Sequence, residues 1–355
     1  MQTRSSKSRW RKILFILKRR GDYDPVQHQA KSMSTGLYNS AAYIVEMLLA
    51  HGHEAILEVA VDNNDIDRLV TQHRPSDVVI EALWVTPSKF KVLSDLHPGV
   101  TWTVRLHSDM PFIAGEGMAM DWIGDYSTYR NIVIAPNSQR LTDELKSYLR
   151  LCHRGDPDRV VYLPNVYPAE CHVKRFDRKK YWIDVSCFGA VRPMKNHLTQ
   201  LSAALSFADS IGKQLRFHIN SGRVEGRGEP VMRNLVGMCA HIADSGHQLI
   251  AHQWMPRDEF VSLCGQMDIA MQVSFSETFN IVAADHVSQG VPLVSSSEIA
   301  WSSRWWQASP TSSRDISRAM HRAWAHPFLN VLLNKRSLAK YSRNSAATWL
   351  AHMGA

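Results

Sequence analysis

The sequence predicts an α/β protein built from two Rossmann-like, doubly wound domains. Three observations lead there. The chain opens β-loop-α-β, a second strand–turn–helix starts near residue 183, and 355 residues at 45% apolar content are too many for one compact core. The same patterns set the boundaries: a basic N-terminal arm over 1–11, a first domain over 12–165, a linker over 166–180, a second domain over 181–330, and a C-terminal helix over 331–355.

Lys12 to Lys18, KILFILK, is a continuous apolar run of strand length and reads as a buried strand, followed by a loop through Asp22-Tyr23-Asp24-Pro25. A glycine-bearing loop at Thr35-Gly36 then leads into a helix over about Leu37 to Ala50. His51-Gly52-His53 ends it, and a strand runs from Ala55 to Val61. In a doubly wound sheet of this kind the ligand edge lies at the strand C-termini. DIDRLVTQH reads as a helix whose opening acids, Asp65 and Asp67, favour its dipole. Apolar runs at Asp77 to Ala82, Thr101 to Leu106 and Ile132 to Ala135 are successive strands. Val160 to Tyr167, with two prolines in VVYLPNVYP and Asn165 between them, suits a hinge. In the second half, Ile183 to Phe188 is a buried strand feeding a glycine-led turn and a helix. Leu215 to Asn220 is a strand entering a loop over 221–228, a weak signal for a phosphate cradle that reads better as a mobile, solvated segment. A strand and Pro turn, a helix and another strand bring the chain to Ser274. The last helix covers about Val331 to Trp349.

The segment SFSETFNIVAADHVSQGVP, Ser274 to Pro292, carries the most chemistry. It sets an acid at Glu277 and a second acid eight positions on at Asp285. A helix from about Phe279 would offer unpaired backbone N–H groups and positive partial charge to a diphosphate. The carboxylates, roughly 12 Å apart at the helical rise, could accept hydroxyl hydrogen bonds at opposite ends of one extended ligand. Hexose, diphosphate and ribose in a row make such a ligand, a nucleotide sugar. Upstream, DVSCFGAVRPMKNH places Arg192 and Lys195 at the turn after a strand. Fixed cations there would stabilise the charge that a departing nucleotide diphosphate gains. The plainer alternatives are a solvated acid pair and a basic surface loop.

These motifs resemble retaining GT-B glycosyltransferases of the family 4 (group 1) type, densest over 183–292 and extending over most of the chain. The resemblance implies two Rossmann-like domains facing an interdomain cleft, with the donor on the second domain and the acceptor on the first. Glu277 would contact the donor sugar, the backbone at Phe279-Asn280 would approach it, and Asp285 would hold the ribose hydroxyls. Arg192 and Lys195 would reach the diphosphate, Gly36 would allow donor phosphate and acceptor to approach the first domain, and residues near Gln253 to Met255 would line the base. The His just past a strand in VRLHSDMPF, His107, looks like the family's active-site His, with Asp109 either orienting it or serving an acceptor hydroxyl. The sequence departs from the family at Thr278-Phe279-Asn280, where Gly-Phe-Gly is usual, at Asp285 in place of Glu, and at Gly36, where a glycine pair is usual. The implied chemistry is retaining and metal-independent, with no cofactor besides the nucleotide-diphosphate sugar as donor substrate.

Other classes fit less well. Asp65-Ile66-Asp67 matches the DxD of metal-dependent GT-A enzymes but opens a helix too early in the chain, and no G-x-G-x-x-G follows the first strand. The pairs Cys152-His153 and Cys171-His172 offer four potential zinc ligands, although adjacent residues rarely aim at one ion. Five cysteines without a CxxC point to reduced thiols. With no apolar run of membrane-span length, the expected place is the cytoplasm, the host's if a phage encodes the chain. Of the net charge of +8, the first twenty residues supply eight cations and no acid, leaving the rest formally balanced. That arm could grip DNA, rest on an anionic membrane surface, or serve as a solubilising tail. The arm and the eleven tryptophans suggest a hydroxymethylated base in DNA as acceptor, as in phage genome glycosylation. A surface-polysaccharide or glycolipid acceptor is the alternative, and a non-catalytic nucleotide-sugar- or DNA-binding protein of the same fold a third reading.

Overall fold

The computed structural model describes residues 11–19, 35–151, 155–168, 172, 174 and 177–354. Residues 1–10 of the basic arm, the Asp22–Pro25 loop, and Cys152, His153 and Cys171 lie outside them. Among these residues the chain divides into two compact units, one holding 11–19, 35–166 and 342–354, the other those from 167 to 341.

The first unit follows the order β1 (Lys12–Lys18), α1 (Gly36–Ala50), β2 (Glu54–Ala60), α2 (Asp65–His73), β3 (Asp77–Glu81), α3 (Pro87–Leu96), β4 (Thr101–Leu106), α4 (Met110–Ile113), α5 (Ala119–Tyr126), β5 (Ile132–Pro136) and α6 (Gln139–Leu151). Its parallel sheet has the order β2-β1-β3-β4-β5. Helices cover both faces, which explains why β1 and β3 are buried nearly throughout and read as unbroken apolar runs. The order reverses between β1 and β3, and in open α/β sheets ligands bind outside the strand C-termini at such a point. Asp65 is used locally: its carboxylate accepts from the Val61 N–H at 2.8 Å, and that bond holds its pKa below the ordinary value.

The second unit follows with β6 (Trp182–Ser186), α7 (His197–Ser210), β7 (Gln214–Asn220), α8 (Glu229–His241), β8 (Gln248–His252), α9 (Arg257–Gln266), β9 (Ile269–Gln272), α10 (Ile281–Ser288), β10 (Leu293–Ser295), α11 (Ser313–Ala325) and α12 (Pro327–Met353). Its parallel sheet has the order β10-β9-β6-β7-β8, so the reversal lies between β6 and β9. Three features differ from the sequence reading. Helix α10 starts at Ile281 rather than Phe279, because Asn280 takes a left-handed φ of 56° and caps the helix, its side chain accepting from the Ala283 N–H at 2.9 Å. Helix α12 starts four residues earlier, at Pro327, a residue tolerated in a first turn. The loop over 221–228 is tied down, not loose. The Val191 N–H donates to the Arg223 carbonyl at 2.9 Å, the Glu225 N–H to the Val191 carbonyl at 3.0 Å, and a Cβ on Gly228 would meet that carbonyl oxygen at 2.0 Å. No helix among the described residues is long and apolar enough to cross a membrane.

The end of α12 belongs to the first unit through Trp349. Its ring is fully buried, 5.9 Å from that of Phe15 in β1, and its indole N–H donates to the Pro164 carbonyl at 2.7 Å. The Arg105 guanidinium lies over the same ring at 5.3 Å. Trp349→Ala would leave a cavity and an unpaired carbonyl, and is expected to destabilise the first unit by about 3–5 kcal/mol. Urea unfolding of the variant against the parent measures this, and an unchanged midpoint would contradict it.

Candidate functional site

Strands β6 and β9 pair directly, Val185 with Ile269 and Ser186 with Ala270, so the loops leaving their C-termini run side by side. The first turns at Gly189, whose φ of +116° a side chain rarely adopts and whose N–H donates to Asn220 Oδ1 at 2.9 Å. It continues through Arg192 and a short 3₁₀ turn, Pro193–Lys195, to Asn196 in the left-handed region. The second loop carries Glu277. Lys195 and Glu277 meet as an ion pair with side chains 10% and 8% exposed.

Buried amides join the two loops. Gln200, with no exposure, accepts from the Val273 N–H at 2.9 Å and donates to the Lys195 carbonyl at 2.7 Å. Asn196 Nδ2 donates to the Val273 carbonyl at 3.0 Å and to the Pro310 carbonyl at 2.7 Å. The Phe275 N–H reaches the Met194 carbonyl at 2.9 Å. Asn280 Nδ2 donates to Gln272 Oε1 at 2.8 Å, and Gln272 Nε2 in turn to the Phe188 carbonyl at 2.9 Å. Burial pushes the neighbouring Cys187 thiol up to about 12, so it stays protonated and inert.

Phe279 is a core side chain, 5.5 Å from Tyr341 and 6.1 Å from Trp301 between ring centroids, and its carbonyl accepts from the Trp301 indole at 2.6 Å. Asp285 is fully buried on α10. Both arms of Arg257 grip its carboxylate, one at 2.6 Å, and the Tyr167 hydroxyl donates to it at 2.8 Å. Gln253 and Trp254 lie against Gly222, where a Cβ would meet the Trp254 nitrogen at 2.7 Å, and Arg223 sits over the Trp254 ring at 5.1 Å.

His107 and Gly36 belong to the first unit. Gly36 opens α1, capped by the Thr35 hydroxyl, which accepts from the Tyr38 N–H at 3.2 Å. His107 follows β4 and lines a cavity of about 160 Å³ at the C-terminal edge of the sheet with Lys18, Leu37, Glu81, Trp84 and Glu116. Its Nε2 lies 2.6 Å from the Glu81 carboxylate, so the ring carries its proton on that nitrogen. Glu81 is fully buried at the end of β3 and takes Arg105 at 2.8 Å. Arg105 also donates to Asn165 Oδ1 at 2.7 Å, and Asn165 donates to the Ser40 hydroxyl at 3.1 Å. Burial first, then the Arg105 charge, lowers the His107 pKa and keeps the imidazole neutral. Burial also opposes ionisation of Glu81, but Arg105 and His107 outweigh it and hold its pKa below the ordinary value. The acid that orients His107 is thus Glu81, which the sequence reading passed over. Asp109 accepts from Ser138 at 2.5 Å and from Arg140 Nε at 3.1 Å. Among the described residues no group of three or more His, Cys, Asp or Glu is placed to hold a metal ion.

No family model matches the chain, and no curated relative does. Solved structures do. HepE from Anabaena in complex with UDP-glucose superposes with a TM-score of 0.65 at 11% identity over 96% of this chain and 100% of that one. A sucrose-phosphate synthase from Thermosynechococcus elongatus gives 0.67 at 12% identity over 97% and 98%. A UDP-forming trehalose-phosphate synthase from Burkholderia vietnamiensis gives 0.67 at 10% identity over 96% and 95%. The likeness shows the fold: two Rossmann-like parallel-sheet domains in the GT-B architecture.

Two histidines make the stability of this region pH-dependent. His197 opens α7 beside the cation turn, where burial and then the charges of Lys195 and Arg192 push its pKa down to about 3. His286 donates from Nδ1 to the Val282 carbonyl at 2.8 Å and accepts from the Ser186 hydroxyl at 2.8 Å, and burial pushes its pKa down to about 4. The unfolded chain protonates both near 6.5 and the folded chain does not. Their contribution is therefore present in full above that pH and is lost as pH falls from about 6.5 toward 4. The urea midpoint should drop between pH 7 and pH 4.5, with a shallower slope in His286→Asn. Equal slopes in parent and variant would exclude His286 as a cause.

Proposed function

We propose that the chain is a retaining, metal-independent glycosyltransferase that moves a sugar from a nucleotide-diphosphate sugar to an acceptor. The observation that carries this reading is the Lys195–Glu277 pair, nearly buried at the switch point of the second sheet and fixed by Gln200 and Asn196. The HepE likeness adds support, since that protein was crystallised with UDP-glucose.

In this reading Lys195 and Arg192 face the diphosphate. The bond between the sugar's anomeric carbon and the phosphate oxygen breaks, charge accumulates on that oxygen, and cations already in place stabilise it with little reorganisation. The N-terminus of α10 adds partial positive charge. Glu277 orients the Lys195 ammonium and accepts a hydroxyl hydrogen bond from the donor sugar. The backbone at Phe279-Asn280 borders the same sugar, and the ribose end falls to Asp285 with the Arg257 it holds. With no nucleophile assigned, the acceptor oxygen attacks the face from which the phosphate leaves and passes its proton to that phosphate, which retains the anomeric configuration. In the first unit, neutral His107, held by Glu81, hydrogen-bonds a sugar hydroxyl, and Gly36 admits ligand close to the N-terminus of α1.

For the acceptor, the basic arm suggests a hydroxymethylated base in DNA; a glycolipid or surface polysaccharide is the second reading, favoured by the exposed Phe328, Leu329 and Leu332 on α12. Mass spectrometry of products from a panel of sugar nucleotides with modified DNA and with lipid acceptors distinguishes them. A binding protein without activity would give neither transfer nor donor hydrolysis.

Glu277→Gln and Lys195→Ala each remove a charged hydrogen bond of about 1.5–3 kcal/mol, so turnover should fall at least roughly tenfold in each. Circular dichroism should show the fold retained. Full activity in either folded variant would remove that residue from the machinery.

A further inference from the structure

The formal balance of the chain beyond its arm conceals a division of charge. Residues 299–355 carry eight Lys and Arg against one acid, Asp315, a net of +7, and residues 21–298 carry the compensating −7. Helices α11 and α12 hold seven of those eight cations. Where they meet, large apolar side chains stand in water: Phe328 is 67% exposed, Leu329 48% and Leu332 44%. At helical spacing, Phe328, Leu332, Arg336 and Lys340 follow one another at i, i+4 along a single exposed stripe, apolar at its start and cationic beyond. Beside the apolar end, Arg178, Ala325, His326, Pro327, Phe328 and Leu329 line an open groove of about 430 Å³. The Arg178 guanidinium is held there by the Trp324 ring at 5.1 Å and by the Trp324 carbonyl.

We propose that this surface docks the protein on a bilayer bearing anionic headgroups. Phe328, Leu329 and Leu332 enter the headgroup–acyl boundary, while Arg336, Lys340 and Arg178 meet the phosphates. An apolar tip rimmed by cations is what a water–lipid interface rewards, since burial and charge attraction act together. The charge argues against a second copy of the chain, which would bring the same cations face to face. Nucleic acid would engage the cations but leave the three apolar side chains in water.

Vesicle sedimentation of the full-length protein tests this without reference to catalysis, using phosphatidylcholine alone and phosphatidylcholine mixed with phosphatidylglycerol. Binding is expected only to the mixed vesicles. Each cation near the surface is worth roughly fivefold, so Arg336→Gln with Lys340→Gln should weaken partitioning roughly 30-fold. Phe328→Ser with Leu332→Ser should also weaken it, at low salt as at high, and Phe328→Leu should not. These positions are exposed, and thermal melting should show all variants folded. Unchanged vesicle binding in both double variants would assign any affinity to the N-terminal arm and overturn the proposal. So would a wild-type protein indifferent to phosphatidylglycerol. The proposal also falls if the Arg336→Gln, Lys340→Gln variant loses duplex DNA but keeps vesicles, or if Phe328→Ser, Leu332→Ser only dissolves a dimer.

Discussion

Gln200 has no contact with water, and both ends of its side-chain amide are occupied by the two loops that leave β6 and β9. A buried amide that loses either partner bears the desolvation cost of the orphaned group, so neither loop can move without the other. Asn196, Asn280 and Gln272 repeat the device, each bonding across or beneath the same seam. The direct pairing of β6 with β9 brings the loops within reach, and the amides fix their relative height. The Lys195–Glu277 pair rests on that frame. An ion pair this little exposed is weak support for stability, because desolvation of both charges offsets most of their attraction. In the proposed function, its position at the strand C-termini makes it charge held ready for a ligand.

The first unit reaches a similar result by different means. Glu81 and Arg105 are direct register partners on β3 and β4, so the sheet itself sets their distance. Arg105 Nη1 donates to both oxygens of the buried carboxylate, at 2.8 and 3.1 Å, and His107 shares the second of them. A carboxylate has roughly four acceptor positions, and a single guanidinium nitrogen leaves room at the shared oxygen for a second donor. The imidazole therefore has a fixed ring plane and a fixed tautomer, both set from the core side. Trp349 closes the arrangement from the far end of the chain by packing on Phe15 and under Arg105.

Much of this was legible in the residues. β1, β4 and α2 have the bounds the sequence pattern predicts, because parallel strands buried on both faces give unbroken apolar runs, and α2 opens on acids. The turn bearing Lys195 and the loop bearing Glu277 also stood out, as charges following apolar strands. What could not be read was pairing. Nothing in the string states that β6 lies beside β9, so the amides of Gln200 and Asn196 look like ordinary helix residues until the loops are adjacent. The left-handed Asn280 shortens α10 at a residue whose type permits that conformation without announcing it. Glu81 and Arg105 did leave a signal: opposite charges inside successive buried strands, VVIE and TVRL, need each other if both strands are central. The loop over 221–228 misled because two of its glycines serve close backbone approach, Gly228 to Val191 and Gly222 to Trp254.

Asp285 shows how far burial governs what a motif acid can do. Its carboxylate receives two nitrogens from Arg257 and the Tyr167 hydroxyl, three of roughly four acceptor positions, and none of its surface is exposed. Removing Arg257 would strand a charge, and removing Asp285 would strand a guanidinium, so the two act as a unit. Arg257 is the more exposed of the two, and the buried acid fixes where its fork points. The same logic holds at Lys195, whose ammonium takes its direction from Glu277. At both places an acid fixes the direction of a cation, which in the proposed function would meet a polyanionic ligand.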